Sequence, residues 1–119
     1  MRAAALAGGW LLAAAIVWLS LTPSPPRLDL ESGDKLGHFL GYAGLMFWFG
    51  FLYRAARARI GYALLWIAMG VALEFAQAAG GYRSFELADM AANTLGVLAG
   101  ALAAFILPRA ARARERETP

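Results

Sequence analysis

Cysteine is absent from the 119 residues, so no disulfide frame, thiolate nucleophile or cysteine-type zinc site can be built. Histidine occurs once, and Ser84 has no histidine beside it in the chain, which argues against a serine–histidine nucleophile. No G-x-x-x-x-G-K-[ST] loop is present, so nothing supports ATP-driven transport. Charge is scarce as well: 16% of residues are Asp, Glu, Lys or Arg, below the roughly 25% of an average soluble domain. The net charge of +3 is small, and the eleven basic residues are not interleaved with aromatics in a polar segment, so no nucleic-acid surface is expected.

What the chain has in abundance is apolar length. It is 61% hydrophobic, with a mean hydropathy of +0.54. Four runs stand out, at residues 3–21, 36–53, 60–79 and 87–107, each 18 to 21 residues long. A helix rises about 1.5 Å per residue and needs roughly 20 residues to cross a ~30 Å hydrocarbon core. Backbone polar groups find no water there, so such runs must be helical. The expected fold is all-α, an integral membrane bundle of four transmembrane helices forming one domain over residues 1–119. The first run is too long for a signal peptide, and no A-x-A site follows it near the prolines, so it reads as a retained helix.

The connections fit that frame. TPSPPRLDLESGD (22–34) stacks prolines and then acids, which ends the first helix in an extended loop. RAARAR (54–59) reads as a short basic hairpin, and GGYRSFE (80–86) offers glycines to end the third helix and Ser84 to cap the fourth. The charged tail 108–119 reads as frayed beyond Pro108. Basic residues orient the bundle. With the N-terminus inside, the inner segments hold Arg2, Arg54, Arg57, Arg59, Arg109, Arg112, Arg114 and Arg116, and the outer loops hold only Arg27, Lys35 and Arg83. Both termini are therefore expected in the cytoplasm.

Polar residues inside the apolar runs then fall at one level. Glu74 lies about 8 Å below the outer end of the third helix, and Gln77 follows at i+3. Asp34, His38 and Tyr42 share one face of the second helix, with Lys35 beside them at its start. Asp89 and Asn93 descend the fourth helix above Gly96 and Gly100, a G-x-x-x-G pair matched by Gly37 and Gly41 on the second. Arg83 sits in the outer loop. The glycines are expected to draw helices together below, leaving an outward-facing polar pocket of Asp34, Lys35, His38, Tyr42, Glu74, Gln77, Arg83, Asp89 and Asn93. An intramembrane ionisable residue is costly to insert and is by default a functional candidate.

Each residue also has a purely structural reading. Asp34 could be an N-cap, Glu86 and Asp89 could complement a helix dipole, and His38 could be a hydrogen-bonded packing residue. Glu74 could be paired with Arg83 or Lys35. The aromatic run Phe47, Trp48, Phe49, Phe51 and Tyr53 reads as an interfacial, lipid-facing belt, and the C-terminal arginines as orientation signals with affinity for anionic lipid. Asp34, His38, Glu74 and Asp89 could ligate a divalent metal, yet Lys35 and Arg83 oppose a cation and no H-E-x-x-H pattern occurs, so no metal and no cofactor are expected.

Two blocks resemble a known family. DKLGHFLGYAGL (34–45) is similar to the D-K-x-x-H-F-x-x-Y-x-x-L block of the VanZ-like proteins. EFAQAAGGYRSFELADMAANTLGVLAG (74–100) resembles that family's E-x-x-Q … R-S-F … D-x-x-x-N-x-x-G-x-x-x-G block. The departure is Gly80-Gly81-Tyr82, where relatives often carry a proline-containing turn. The family is named for a teicoplanin-resistance accessory protein, and the resemblance implies a small bacterial membrane protein of the cell envelope without specifying a reaction.

Three functions fit. The first is recognition of an amphiphile at the outer pocket, such as a lipid-linked cell-wall precursor or a lipoglycopeptide, with Lys35 and Arg83 meeting phosphate or carboxylate and Glu74, Gln77 and Asn93 hydrogen-bonding sugar or amide. The second is an intramembrane acid/base or metal-dependent enzyme acting on a lipid-linked substrate through His38, Glu74 and Asp89. The third is a structural module that binds a membrane-protein partner or a second copy of itself. Membrane lipids are partners in every case.

Overall fold

The computed structural model describes residues 2–22, 33–80 and 86–117, and of residues 33–34 and 108–117 the backbone alone. The expected cap Ser84, the site residue Arg83 and the proline loop lie outside the described residues. The chain is all-α, with α1 Arg2–Leu21, α2 Gly33–Leu52, α3 Ala56–Ala79 and α4 Leu87–Glu117, and no strand among the described residues.

Three of these helices, α1, α3 and Leu87–Leu107 of α4, are long and apolar enough to cross a membrane. The fourth, α2, falls short of that measure. Its sequence explains why: Asp34, Lys35 and His38 occupy its first turns, and Gly37, Gly41, Gly44 and Gly50 lower its hydropathy. α2 touches each of the other helices and packs most extensively on α4, whereas among the described residues α1 reaches α2 and α3 only. Small residues on such a helix let its backbone approach a neighbour closely, while Leu40, Trp48 and Phe51 stay exposed.

That packing is backbone against backbone. A Cβ on Gly96 would collide with the carbonyl of Phe39, and one on Gly100 with the carbonyl of Ala43. The glycines of α4 thus ride along the Phe39–Ala43–Phe47 edge of α2. The expected pair on α2 does not mirror them: Gly37 faces open space, and Gly41 faces Ile16 of α1 at 3.7 Å.

The core lies between α1, α2 and α3, with Val97 contributed by α4. It contains Ala13, Tyr42, Leu45, Met46, Phe49 and Trp66. Phe49 is fully buried, 4.7 Å from the Tyr62 ring, 5.2 Å from Trp66 and 5.3 Å edge-on from Trp10. Tyr53 packs on Tyr62 at 5.0 Å. The belt reading therefore fails for Phe49 and Tyr53, which the helical period turns inward one turn apart. It fits the exposed Phe51 and Trp48 better, although the Trp48 indole also donates to the Ala5 carbonyl at 2.7 Å. Leu95, Leu98, Leu102 and Phe105 on α4 and Leu11 and Trp18 on α1 are exposed, as lipid-facing side chains are.

Two element ends depart from expectation. α3 starts at Ala56, so most of RAARAR is its first turn and the hairpin shrinks to Tyr53–Ala55. Arg59 turns back from that turn, its Nε donating to the carbonyls of Gly50 (2.9 Å) and Tyr53 (3.0 Å) at the end of α2. α4 continues through Pro108 to Glu117 because the tail is rich in Ala, Arg and Glu, all strong helix formers. Pro108 has no N–H to give the carbonyl four residues back, that of Ala104. Arg59 Nη2 donates to that carbonyl at 3.4 Å.

Candidate functional site

α2 and α4 begin, and α3 ends, at the same end of the bundle, which is why their polar residues meet. Lys35, in the first turn of α2, places its ammonium 3.0 Å from Glu86 Oε2 and 3.7 Å from Asp89 Oδ1. The Lys35 and Glu86 side chains are 40% and 43% exposed, while Asp89 is buried in the first turn of α4. Coulomb attraction counts for more at the buried end of this bridge, where water screens it less.

Glu74 comes up from α3 beneath that bridge. It is buried, and its Oε1 accepts the backbone N–H of Glu86 at 2.7 Å. Glu86 therefore does two things: its main chain holds Glu74 and its side chain holds Lys35. Of the two cations weighed as partners of Glu74, Arg83 lies outside the described residues and Lys35 bridges Glu86 and Asp89. The reason is local: α4 opens beside the start of α2, with Glu86 immediately ahead of its first turn.

Asn93 lies one turn further down α4, also buried. It rests on Gly70 of α3, where an added Cβ would stand 3.1 Å from Asn93 Cβ and Nδ2 and 3.4 Å from the Tyr42 ring. Three helices thus converge on one glycine, with Tyr42 from α2 and Asn93 from α4 closing over it. Gln77 is buried too, but it turns to α1, its Nε2 donating to the Ser20 carbonyl at 2.7 Å. Ser20 is in the last turn of α1, where carbonyls have no helical donor, so Gln77 caps that helix. The Asp34 side chain and Arg83 lie outside the described residues.

Against this background three polar atoms stand out. His38 Nδ1, Glu74 Oε2 and Asn93 Oδ1, like the Trp66 indole Nε1 in the core, are shielded from solvent and find no hydrogen-bond partner among the described residues. A buried polar atom left unpaired costs about 1–3 kcal/mol, so each one calls for an explanation. Both oxygens are acceptors, and the imidazole nitrogen can be one. The arrangement can therefore receive hydrogen-bond donors from outside the described chain. Among the described residues no three His, Asp or Glu side chains gather as ligands of one cation would.

Of the residues that the sequence singles out, the fold brings Lys35, Tyr42, Glu74, Asp89 and Asn93 to one end. Sequence reasoning treats Glu86 only as a dipole partner and overlooks Gly70 and the Ser20 carbonyl. Glu86 carried a visible signal, a carboxylate just before α4. A glycine in an apolar run and a main-chain oxygen carry none.

No curated protein and no solved structure gives a match. The VanZ/LLP1 family model does match, over residues 9–108, which take in α1 from Gly9 onward, α2, α3 and the apolar part of α4 together with every polar residue just described. With that match over most of its length, and with helices fit to cross a membrane, the chain is a membrane protein that belongs to the VanZ/LLP1 family.

Proposed function

We propose that this protein binds the polar part of an amphiphilic or lipid-linked cell-envelope ligand at the α2–α3–α4 end of its bundle. The observation that carries the proposal is the pair of buried acceptors with no donor among the described residues, Glu74 Oε2 and Asn93 Oδ1, with His38 Nδ1 of α2 likewise unpaired. Sugar hydroxyls, amides or an ammonium would supply the missing donors. Lys35, joined by Arg83 if it reaches the same end, would draw a phosphate or carboxylate to the rim. Tyr42 and Asp89 shape the floor and wall, Asp34 stands at the start of α2, and Gln77 serves the site by fixing α1 against α3.

The setting proposed with it is a bacterial inner membrane, with α2 crossing as a fourth span in contact with the other three. Both termini lie in the cytoplasm and the polar end faces outward, where lipid-linked cell-wall precursors and lipoglycopeptides are met. Tolerance of teicoplanin-type glycopeptides is the expected physiological output. The contacts of Gln77, Glu74 and Lys35 with neighbouring helices also suit a purely structural module, and it is the unpaired acceptors that favour the binding reading.

The test is a tolerance assay in cells beside quantification of the protein in the membrane. Glu74→Gln and Asn93→Ala should abolish the protein's contribution to teicoplanin tolerance while membrane abundance stays near that of the parent. Tolerance unchanged in both variants at normal abundance would sink the proposal.

A further inference from the structure

At the opposite end of the bundle a cleft of about 500 Å³ opens between the start of α1 and the end of α2, lined by Arg2, Phe51, Leu52, Tyr53, Arg54 and Ala55. The basic residues around it are not equivalent. Arg59 is committed to three main-chain carbonyls, and Arg57 is exposed and does not line the cleft. Arg2 and Arg54 do line it, with the Arg2 guanidinium held 5.0 Å from the centre of the Tyr53 ring. Guanidinium groups are suited to bidentate contact with phosphate, and a ring beneath one of them restricts its motion before any ligand arrives.

We propose that this cleft is a binding site for the phosphate headgroup of an anionic phospholipid, gripped by Arg2 and Arg54. Charge complementarity points to the anion, and the walls point to a lipid as its source. Phe51 is a large exposed apolar side chain at the end of α2, placed to run alongside an acyl chain below the headgroup. The Arg59 guanidinium lies on the α2 carbonyls and offsets the negative pole of that helix end, which would otherwise repel a phosphate. The site is independent of the polar cluster at the other end and of the ligand proposed for it.

The experiment is native mass spectrometry of the protein released from nanodiscs of equimolar phosphatidylglycerol and phosphatidylethanolamine. The parent should retain phosphatidylglycerol in a saturable adduct. The double variant Arg2→Gln/Arg54→Gln should lose roughly thirtyfold in apparent affinity, about fivefold per guanidinium near the membrane surface. Arg57→Gln removes the same charge outside the cleft and should leave the adduct in place. Should the double variant fold poorly, Arg54→Gln alone spares the Arg2–Tyr53 contact and should still show the fivefold loss. Equal losses from Arg57→Gln and Arg54→Gln would reduce the effect to general attraction by a basic end and overturn the site. Stabilisation by inorganic phosphate in pure phosphatidylethanolamine discs, as large as that from phosphatidylglycerol, would overturn its assignment to a lipid.

Discussion

Glu74 shows how one side chain can serve the fold with one oxygen and remain available with the other. Oε1 is spent on the Glu86 N–H, and Oε2 is buried without a partner among the described residues. Glu74→Gln keeps a carbonyl oxygen for that N–H, so its thermal stability should stay within about 1 kcal/mol of the parent. Glu74→Leu strands the N–H and should cost roughly 1–3 kcal/mol, read as a lower melting temperature in detergent. Gly70→Ala places a methyl 3.1 Å from Asn93, which must shift, and should cost about 1–3 kcal/mol and weaken ligand binding together. At this scale the sequence was readable where a polar residue interrupts an apolar run, as Glu74, Asp89 and Asn93 do. It was silent at Gly70, whose meaning comes from what packs on it.

The α2–α4 contact shows the same division between elements. The G-x-x-x-G spacing of Gly96 and Gly100 announced a close approach, and the backbones do meet there. The same spacing at Gly37 and Gly41 misled, because spacing does not say which face meets a helix. Gly100→Val should therefore be among the most damaging single substitutions, while Gly37→Ala, with open space around it, should stay within about 0.5 kcal/mol of the parent in a thermal melt. The end of α4 adds a second case. Pro108 looked like a stop, yet the helix continues, and Arg59 donates to the carbonyl that Pro108 leaves without a donor. Arg59→Ala should destabilise by roughly 2 kcal/mol, and less in a Pro108→Ala background, where Ala104 regains a helical donor. A double-mutant cycle on melting temperatures measures that coupling; strict additivity would show that Arg59 acts only through α2.

For the whole molecule, three helices fit a membrane on their own composition, and α2 falls short alone but touches each of the other three. Hydropathy rates helices one at a time, so the contacts of α2 were hidden until its neighbours were placed. The absence of cysteine makes orientation simple to test. In intact cells an impermeant maleimide should label a cysteine at Gly80, beyond the end of α3, and spare one at Ala56, where α3 begins. The reverse pattern would turn the polar end toward the cytoplasm.

The central claim is that the buried acceptors at that end await a ligand's donors, and thermal melts of the purified protein with and without a lipid-linked disaccharide-peptide precursor test it most directly. Ligand at about a hundred times its dissociation constant should stabilise the parent by roughly 2.7 kcal/mol. The same precursor should leave the melts of Glu74→Gln and Asn93→Leu unmoved. If Asn93→Leu melts higher than the parent and gains the same increment from the precursor, the acceptors are structural leftovers and the claim is wrong.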